Sequence, residues 1–169
     1  MRSSGHERVN ALSLDLNTGF FDLWVFRRTD DGVQYLLLHT SQEKADRFFG
    51  GGRFWQIPTD AVGERENVPD ACRRLSRDTG VVPGSVWSAD HVYAIYNRRY
   101  DAVCTIPVFA AEAGEGTNPI LTWEHSEFAW CSADACLERI RFRGLRDGLA
   151  AVQESVTEAV EPAPELRLF

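Results

Sequence analysis

Lysine is nearly missing from this chain. Lys44 stands alone beside seventeen arginines, a skew most simply explained by a GC-rich genome, expected to be bacterial. A basic excess is missing as well. The net charge of −7 argues against a nonspecific nucleic-acid or membrane-surface binder, although a local arginine cluster can still hold phosphate. Cysteine is scarce: Cys72, Cys104, Cys131 and Cys136 show no C-x2-C pairing and no histidines at finger spacing, which argues against structural zinc. Buried free thiols in a reducing compartment are the expectation. No apolar run is long enough to span a bilayer, and residues 1–10 (MRSSGHERVN) are too polar for a signal peptide, so a cytoplasmic protein is expected.

What remains is an ordinary globular composition, 169 residues with 44% hydrophobic and 25% charged, enough for one domain with a full core. Residues 1–10 read as a mobile leader, 11–160 as the domain, and 161–169 as a tail, disordered or packed on a neighbouring subunit. Ala11 to Leu16 alternates like an edge strand. Phe20–Arg27 and Val33–His39 form a hairpin around Asp31-Gly32. Ser41 to Arg53, with Phe48, Phe49 and three successive glycines, reads as a loop. Val86–Tyr96 and Ala102–Ala111 form a second hairpin, with Pro107 marking an edge or a bulge. A helix capped by Ser132 follows, then another over Gly144–Val160, with Leu145, Leu149, Val152, Val156 and Val160 on its core face. Arg139, Arg141, Arg143 and Arg146 form the densest basic cluster, read mainly as a solvated helix junction.

The centre of the chain is Phe54 to Val81, FWQIPTDAVGERENVPDACRRLSRDTGV. A short apolar run ends at a Pro-Thr-Asp turn, and an acidic loop (Gly63, Glu64, Arg65, Glu66) leads into a helix. Asn67 is a good N-cap, Asp70 can complete a capping box, and Pro69 sits in the first turn where no donor is lost. Gly80 can close the helix in the left-handed conformation, with Val81 as its apolar contact. Ala71 and Leu75 mark the buried stripe, and Asp78 falls at its edge. Asp70, Arg74 and Asp78 can pair as an i, i+4 ladder.

Strand, acidic loop and capped helix together resemble the Nudix box, G-x5-E-x7-R-E-U-x-E-E-x-G-U with U apolar. The Phe-Trp-Gln entering it is most like the dihydroneopterin triphosphate and dATP pyrophosphohydrolase branch. The segment LTWEHSEFAW (Leu121–Trp130) resembles the family's late strand, with Glu124 on its acid and His125 beside it. Aligned back from Thr79-Gly80-Val81, the box's Arg-Glu pair falls on Arg73-Arg74 and its Glu-Glu pair on Arg77-Asp78. The loop Glu is Glu66 with one residue missing, or Glu64 with one residue extra, and a box glycine falls on Asp60 or Thr59, depending on the same choice.

The resemblance implies an α/β fold, an α/β/α sandwich around a mixed sheet. It also implies hydrolysis of nucleoside diphosphate-linked substrates with Mg²⁺ or Mn²⁺, the ion bridging phosphate oxygens and activating water. Glu66, Asp78 and Glu124 carry over as catalytic groups, and Glu64, Glu66 and Asp78 as metal ligands. Arg53, Arg74 and Arg77 are candidates for binding phosphate or substrate. The expected partners are a small-molecule nucleotide or diphosphate and a second copy in a homodimer, not nucleic acid or a membrane. Guanidiniums cannot ligate Mg²⁺, which takes only oxygen donors. Weakened hydrolysis is therefore expected, the alternative being an inactive nucleotide-binding or regulatory module.

Overall fold

The computed structural model describes residues 14–169; the predicted leader and the first residues of the predicted edge strand lie outside them. Strand β2 (Phe20–Thr29) is the spine of the sheet. Phe21 to Phe26 is buried without interruption, as expected of a strand covered on both faces. β2 forms a hairpin with β3 (Gly32–Thr40), Phe26 opposite Tyr35 and Thr29 opposite Gly32. Beyond that hairpin end the two strands part, and the segment from Trp55 to Ala61 fills the space between them. Its first half, β4 (Trp55–Gln56), pairs with β3, and its second half, β5 (Thr59–Ala61), pairs with the start of β2. The Pro-Thr-Asp sequence is thus a strand entry and not the turn its composition suggested.

The second hairpin forms as its β-branched runs predict. β6 (Pro83–Asn97) is antiparallel to β7 (Ala102–Ala113), with register shifts between Ser88 and Val92. Pro107 faces Val92 at the end of that irregularity, within a central strand. On its other side β7 runs parallel to β2 and to the short β1 (Asp15–Asn17). β8 (His125–Cys131) completes the sheet against β3.

Helices cover both faces, giving the α/β/α sandwich. One face buries Trp24, Phe26, Tyr35 and Leu37 beneath α3 (Ala133–Arg139) and α4 (Arg143–Val152). The other buries Phe21, Leu23, Val25, Leu36 and Leu38 beneath α2 (Val68–Asp78), through Ala71, Cys72 and Leu75. All four thiols are free and buried. Among the described residues no helix is long and apolar enough to cross a membrane.

Three local expectations are corrected. Residues Gln42–Phe48, read as loop, form helix α1, capped by the Ser41 hydroxyl on the Lys44 amide at 3.0 Å. The last helix does not reach Val160. It passes into a π turn at Gln153–Thr157 and ends, leaving Val156 buried but Val160 fully exposed. The tail folds back on its own sheet: Leu168 N donates to Val86 O at 2.8 Å and Val86 N to Phe169 O at 3.1 Å.

Candidate functional site

Helix α2 starts at its predicted Asn67 cap, but Asp70 does not complete a capping box and accepts from Arg73 instead. The Asn67 side chain accepts from the Asp70 amide at 2.9 Å, and Gly80 closes the far end at φ +72°. A Cβ there would overlap Ile120. That close approach lets Ile120 N donate to Thr79 O at 2.8 Å, which docks the 119–125 segment on the C-terminal end of α2. The resulting pocket has walls from four places. Leu75, Asp78 and Thr79 come from α2; Gln56, Pro58, Thr59 and Asp60 from the wedged segment; Pro119, Ile120, Thr122, Glu124 and His125 from the docked loop and β8; and Lys44 from α1, with Leu38 at the floor. Its volume is about 210 Å³.

Glu66 and Arg74 dominate the acidic loop. Arg74 Nε and Nη2 donate to the two Glu66 carboxylate oxygens at 2.9 and 2.8 Å. Nη1 reaches Asp60 at 2.5 Å and Nη2 also reaches Ala61 O at 2.8 Å. Such a fork against a carboxylate is geometry that a lysine could not supply. The Gly63 amide adds a third donor to Glu66 at 2.9 Å. These hydrogen bonds, Arg74 first, pull the Glu66 carboxyl down to about 2, and the two acids raise the Arg74 guanidinium above its ordinary value. Counted from Glu66, Arg74 stands at the E-x7-R spacing of the box, and Asp60 at its opening glycine. The loop acid facing the helix is therefore Glu66. Glu64 is exposed, and neither Glu64 nor Glu66 lines the pocket.

The expected ladder along α2 does not form. Asp70 pairs with Arg73 at 3.0 Å, and Arg74 turns to the loop. Asp78, placed by its helix angle at the edge of the core, is exposed and opens into the pocket. Glu124 also opens into it, held by Lys44 Nζ at 2.6 Å. His125 accepts from Gln56 Nε2 at 2.6 Å through its own Nε2. Burial, with Lys44 nearby, lowers the His125 imidazole to about 4, so near neutral pH it is an uncharged acceptor.

None of the three predicted phosphate-binding arginines lines the pocket. Arg53 donates to Thr40 O at 2.8 Å and Ser126 Oγ at 2.5 Å, tying the glycine-rich segment to β3 and β8. Arg74 is bound to the loop, and Arg77 is exposed. The C-terminal basic cluster is also engaged locally. Arg146 donates to Leu137 O at 2.7 Å, Arg143 meets Asp147 at 3.3 Å, and Arg139 lies over the Trp55 ring at 5.1 Å.

Two charged pocket residues, Lys44 and Asp60, were not among the site residues expected from the sequence. Lys44 was hidden because its helix has only Ala45 buried and therefore no apolar period. Asp60 lay in what looked like a turn, its signal being a carboxylate at the position of a box glycine.

A resident metal can be tested against this donor set. Of the three described carboxylates that line the pocket, Asp60 is bound by Arg74, which also holds Glu66 outside it, Glu124 is bound by Lys44, and Asp78 alone is left unpaired. No group of three or more His, Cys, Asp or Glu converges to hold an ion among the described residues. These residues do not fit a protein-built metal centre.

The strand order, the wedged segment and the capped α2 define a Nudix fold, and comparison with solved structures shows the same. A Listeria monocytogenes protein assigned to the NUDIX hydrolases superimposes with a TM-score of 0.70 at 17% identity, over 87% of this chain and 99% of that one. The NUDIX domain of Shewanella oneidensis NrtR, solved with ADP ribose, gives 0.62 at 18% identity over 86% and 90%. A Caenorhabditis elegans Ap4A hydrolase gives 0.62 at 14% identity over 80% and 94%. No family profile and no curated protein matches the sequence itself.

Proposed function

We propose that this protein is a Nudix-fold binding module for a nucleoside diphosphate or a related diphosphate-linked small molecule. The ligand enters the pocket beside α2 as its Mg²⁺ or Mn²⁺ complex and is held without turnover. The observation that carries this reading is the Arg74 fork on Glu66. Metal-assisted hydrolysis needs carboxylates free to fix an ion and to activate water. Here the Arg74 guanidinium already neutralises Glu66 and Asp60, and Lys44 neutralises Glu124. Asp78 remains to face a cation arriving with the ligand, with Lys44 close enough to meet phosphate oxygens and Gln56 and His125 to hydrogen-bond the rest. The ADP ribose bound by one fold neighbour supports the ligand class. Four buried, unpaired thiols accord with a reducing cytoplasm.

Asp78, Asp60 and Glu124 opening into one pocket favours a second reading, a weak metal-dependent pyrophosphohydrolase using Asp78 and Glu124. One experiment separates the two. The protein is incubated with Mg²⁺ or Mn²⁺ and dNTPs, ADP-ribose, NADH or dinucleoside polyphosphates, following both product release and thermal unfolding. The binding module shows a ligand-dependent rise in Tm with no product. In Arg74→Gln, which frees Glu66 and Asp60, Mg²⁺ alone now raises Tm. Product formation that disappears in Asp78→Ala establishes the hydrolase instead, and no Tm response to any ligand overturns both.

A further inference from the structure

The pocket beside α2 is too small for the whole of the ligand proposed for it. Sites that enclose an entire organic ligand run to about 300–1,000 Å³, and this one holds about 210 Å³. Lys44, Gln56, Thr59, Asp60, Asp78 and Glu124 supply its polar groups. Among the described residues the one aromatic ring in its wall is the His125 imidazole, whose Nε2 is already taken by Gln56. A diphosphate suits such a space, and the group it carries must lie outside. Three contacts in a row join α1 to the 122–125 turn and lead out of the pocket. The Ser41 amide donates to Glu124 O at 2.8 Å, Lys44 Nζ meets the Glu124 carboxylate at 2.6 Å, and the Arg47 guanidinium lies over the Trp123 ring at 4.9 Å. Arg47 is three residues beyond Lys44, so the two share a helix face about 5–6 Å apart, a separation that a ribose bridges.

Trp123 is 47% exposed, whereas Trp24 is buried and Trp55, Trp87 and Trp130 are half-buried. Its neighbours Thr122 and Glu124 both line the pocket. An indole ring has two faces, and Arg47, itself held by Glu43 at 2.6 Å, occupies one of them. We propose that the open part of the Trp123 ring is a stacking site for the aromatic base of a nucleoside diphosphate whose phosphates lie in the pocket against Lys44. A flat base offers a π-face that matches the indole, and the cation behind the ring holds it in place. A sugar or an aliphatic group in the same position forgoes that contact. The inference rests on the diphosphate reading of the pocket and narrows it, from any diphosphate-linked molecule to one that carries a nucleobase.

Two probes whose P–C–P bridge water cannot cleave, α,β-methylene-ADP and methylenediphosphonate, test it by calorimetric titration of the full chain with Mg²⁺ present. The adenosine probe should bind at least about tenfold more tightly than the bare diphosphonate and should quench indole emission. Trp123→Leu should erase that advantage and the quenching while leaving the diphosphonate affinity unchanged, and Trp123→Phe should keep most of the advantage. A ring that only props the turn against Arg47 would instead weaken both probes equally in Trp123→Leu, a result that overturns the stacking site and leaves the pocket reading intact. An adenosine probe no tighter than the diphosphonate on the wild-type protein has the same consequence, and that comparison needs no variant to fold. If neither probe binds, the pocket reading itself fails and the stacking site falls with it.

Discussion

At position 125 a histidine is held neutral in a pocket that also contains three carboxylates. Burial outweighs the attraction of Glu124, and Lys44 adds to it, so protonation in the folded state waits until about 4 against an ordinary 6.5. The unfolded chain takes up that proton first as pH falls. The stability contributed by His125 is therefore complete above about 6.5 and is lost as pH falls from there to about 4, with a slope of up to about 1.4 kcal/mol per pH unit. Glu66 supplies a separate, lower window. Its folded value of about 2 lies below the ordinary 4.5, so its contribution is intact above 4.5 and lost between there and 2. Urea midpoints measured down the pH scale should fall first through the histidine window and then through the carboxylate window. His125→Gln should flatten the first and leave the second, and an unchanged slope in that variant would mean that the imidazole is solvated.

Among the elements, strands β2, β5 and β6 meet at a single side chain. Asp22, 1% exposed on β2, accepts from the Thr59 hydroxyl of β5 at 2.7 Å and the Tyr93 hydroxyl of β6 at 2.6 Å. Burial raises its carboxyl above the ordinary range, while the two hydroxyl bonds oppose the rise. Asp22→Ala removes both acceptors and should cost about 1–3 kcal/mol. Asp22→Asn keeps an acceptor oxygen without the charge and should cost clearly less by urea titration. Equal losses would show that packing, and not the hydroxyl bonds, holds the three strands. This junction was illegible in the sequence because β5 is three residues long and pairs only with a distant strand. The hairpins, α2 and α3 were legible, since their period, turns and caps are local. Helix α1 offered only its Ser41 cap against a run of glycines. The end of α4 followed an apolar spacing that tertiary packing cut short at Thr157.

Across the whole molecule the sandwich could be anticipated from three separated patches of sequence, but the pairing of its charges could not. Asp70 and Asp78 were the nearest acids to Arg74 along α2; the folded loop brought Glu66 and Asp60 closer. The tail shows the same dependence on long-range structure. Two prolines and an apolar end gave no sign that residues 167–169 would add to the β6 edge. Arg167 bridges to Trp87, Leu168 and Phe169 pack beside Leu75 and Val86, and the Phe169 ring lies 3.9 Å beneath the Arg73 guanidinium. Replacing both apolar residues by alanine removes two partly buried side chains and should lower stability by about 2 kcal/mol. Hydrogen exchange localises the effect. The Val86 amide, which now donates to Phe169, should lose protection, while amides in the β2–β7 ladder keep theirs. Unaltered Val86 protection in the double variant would show that the tail is not seated on the sheet in solution.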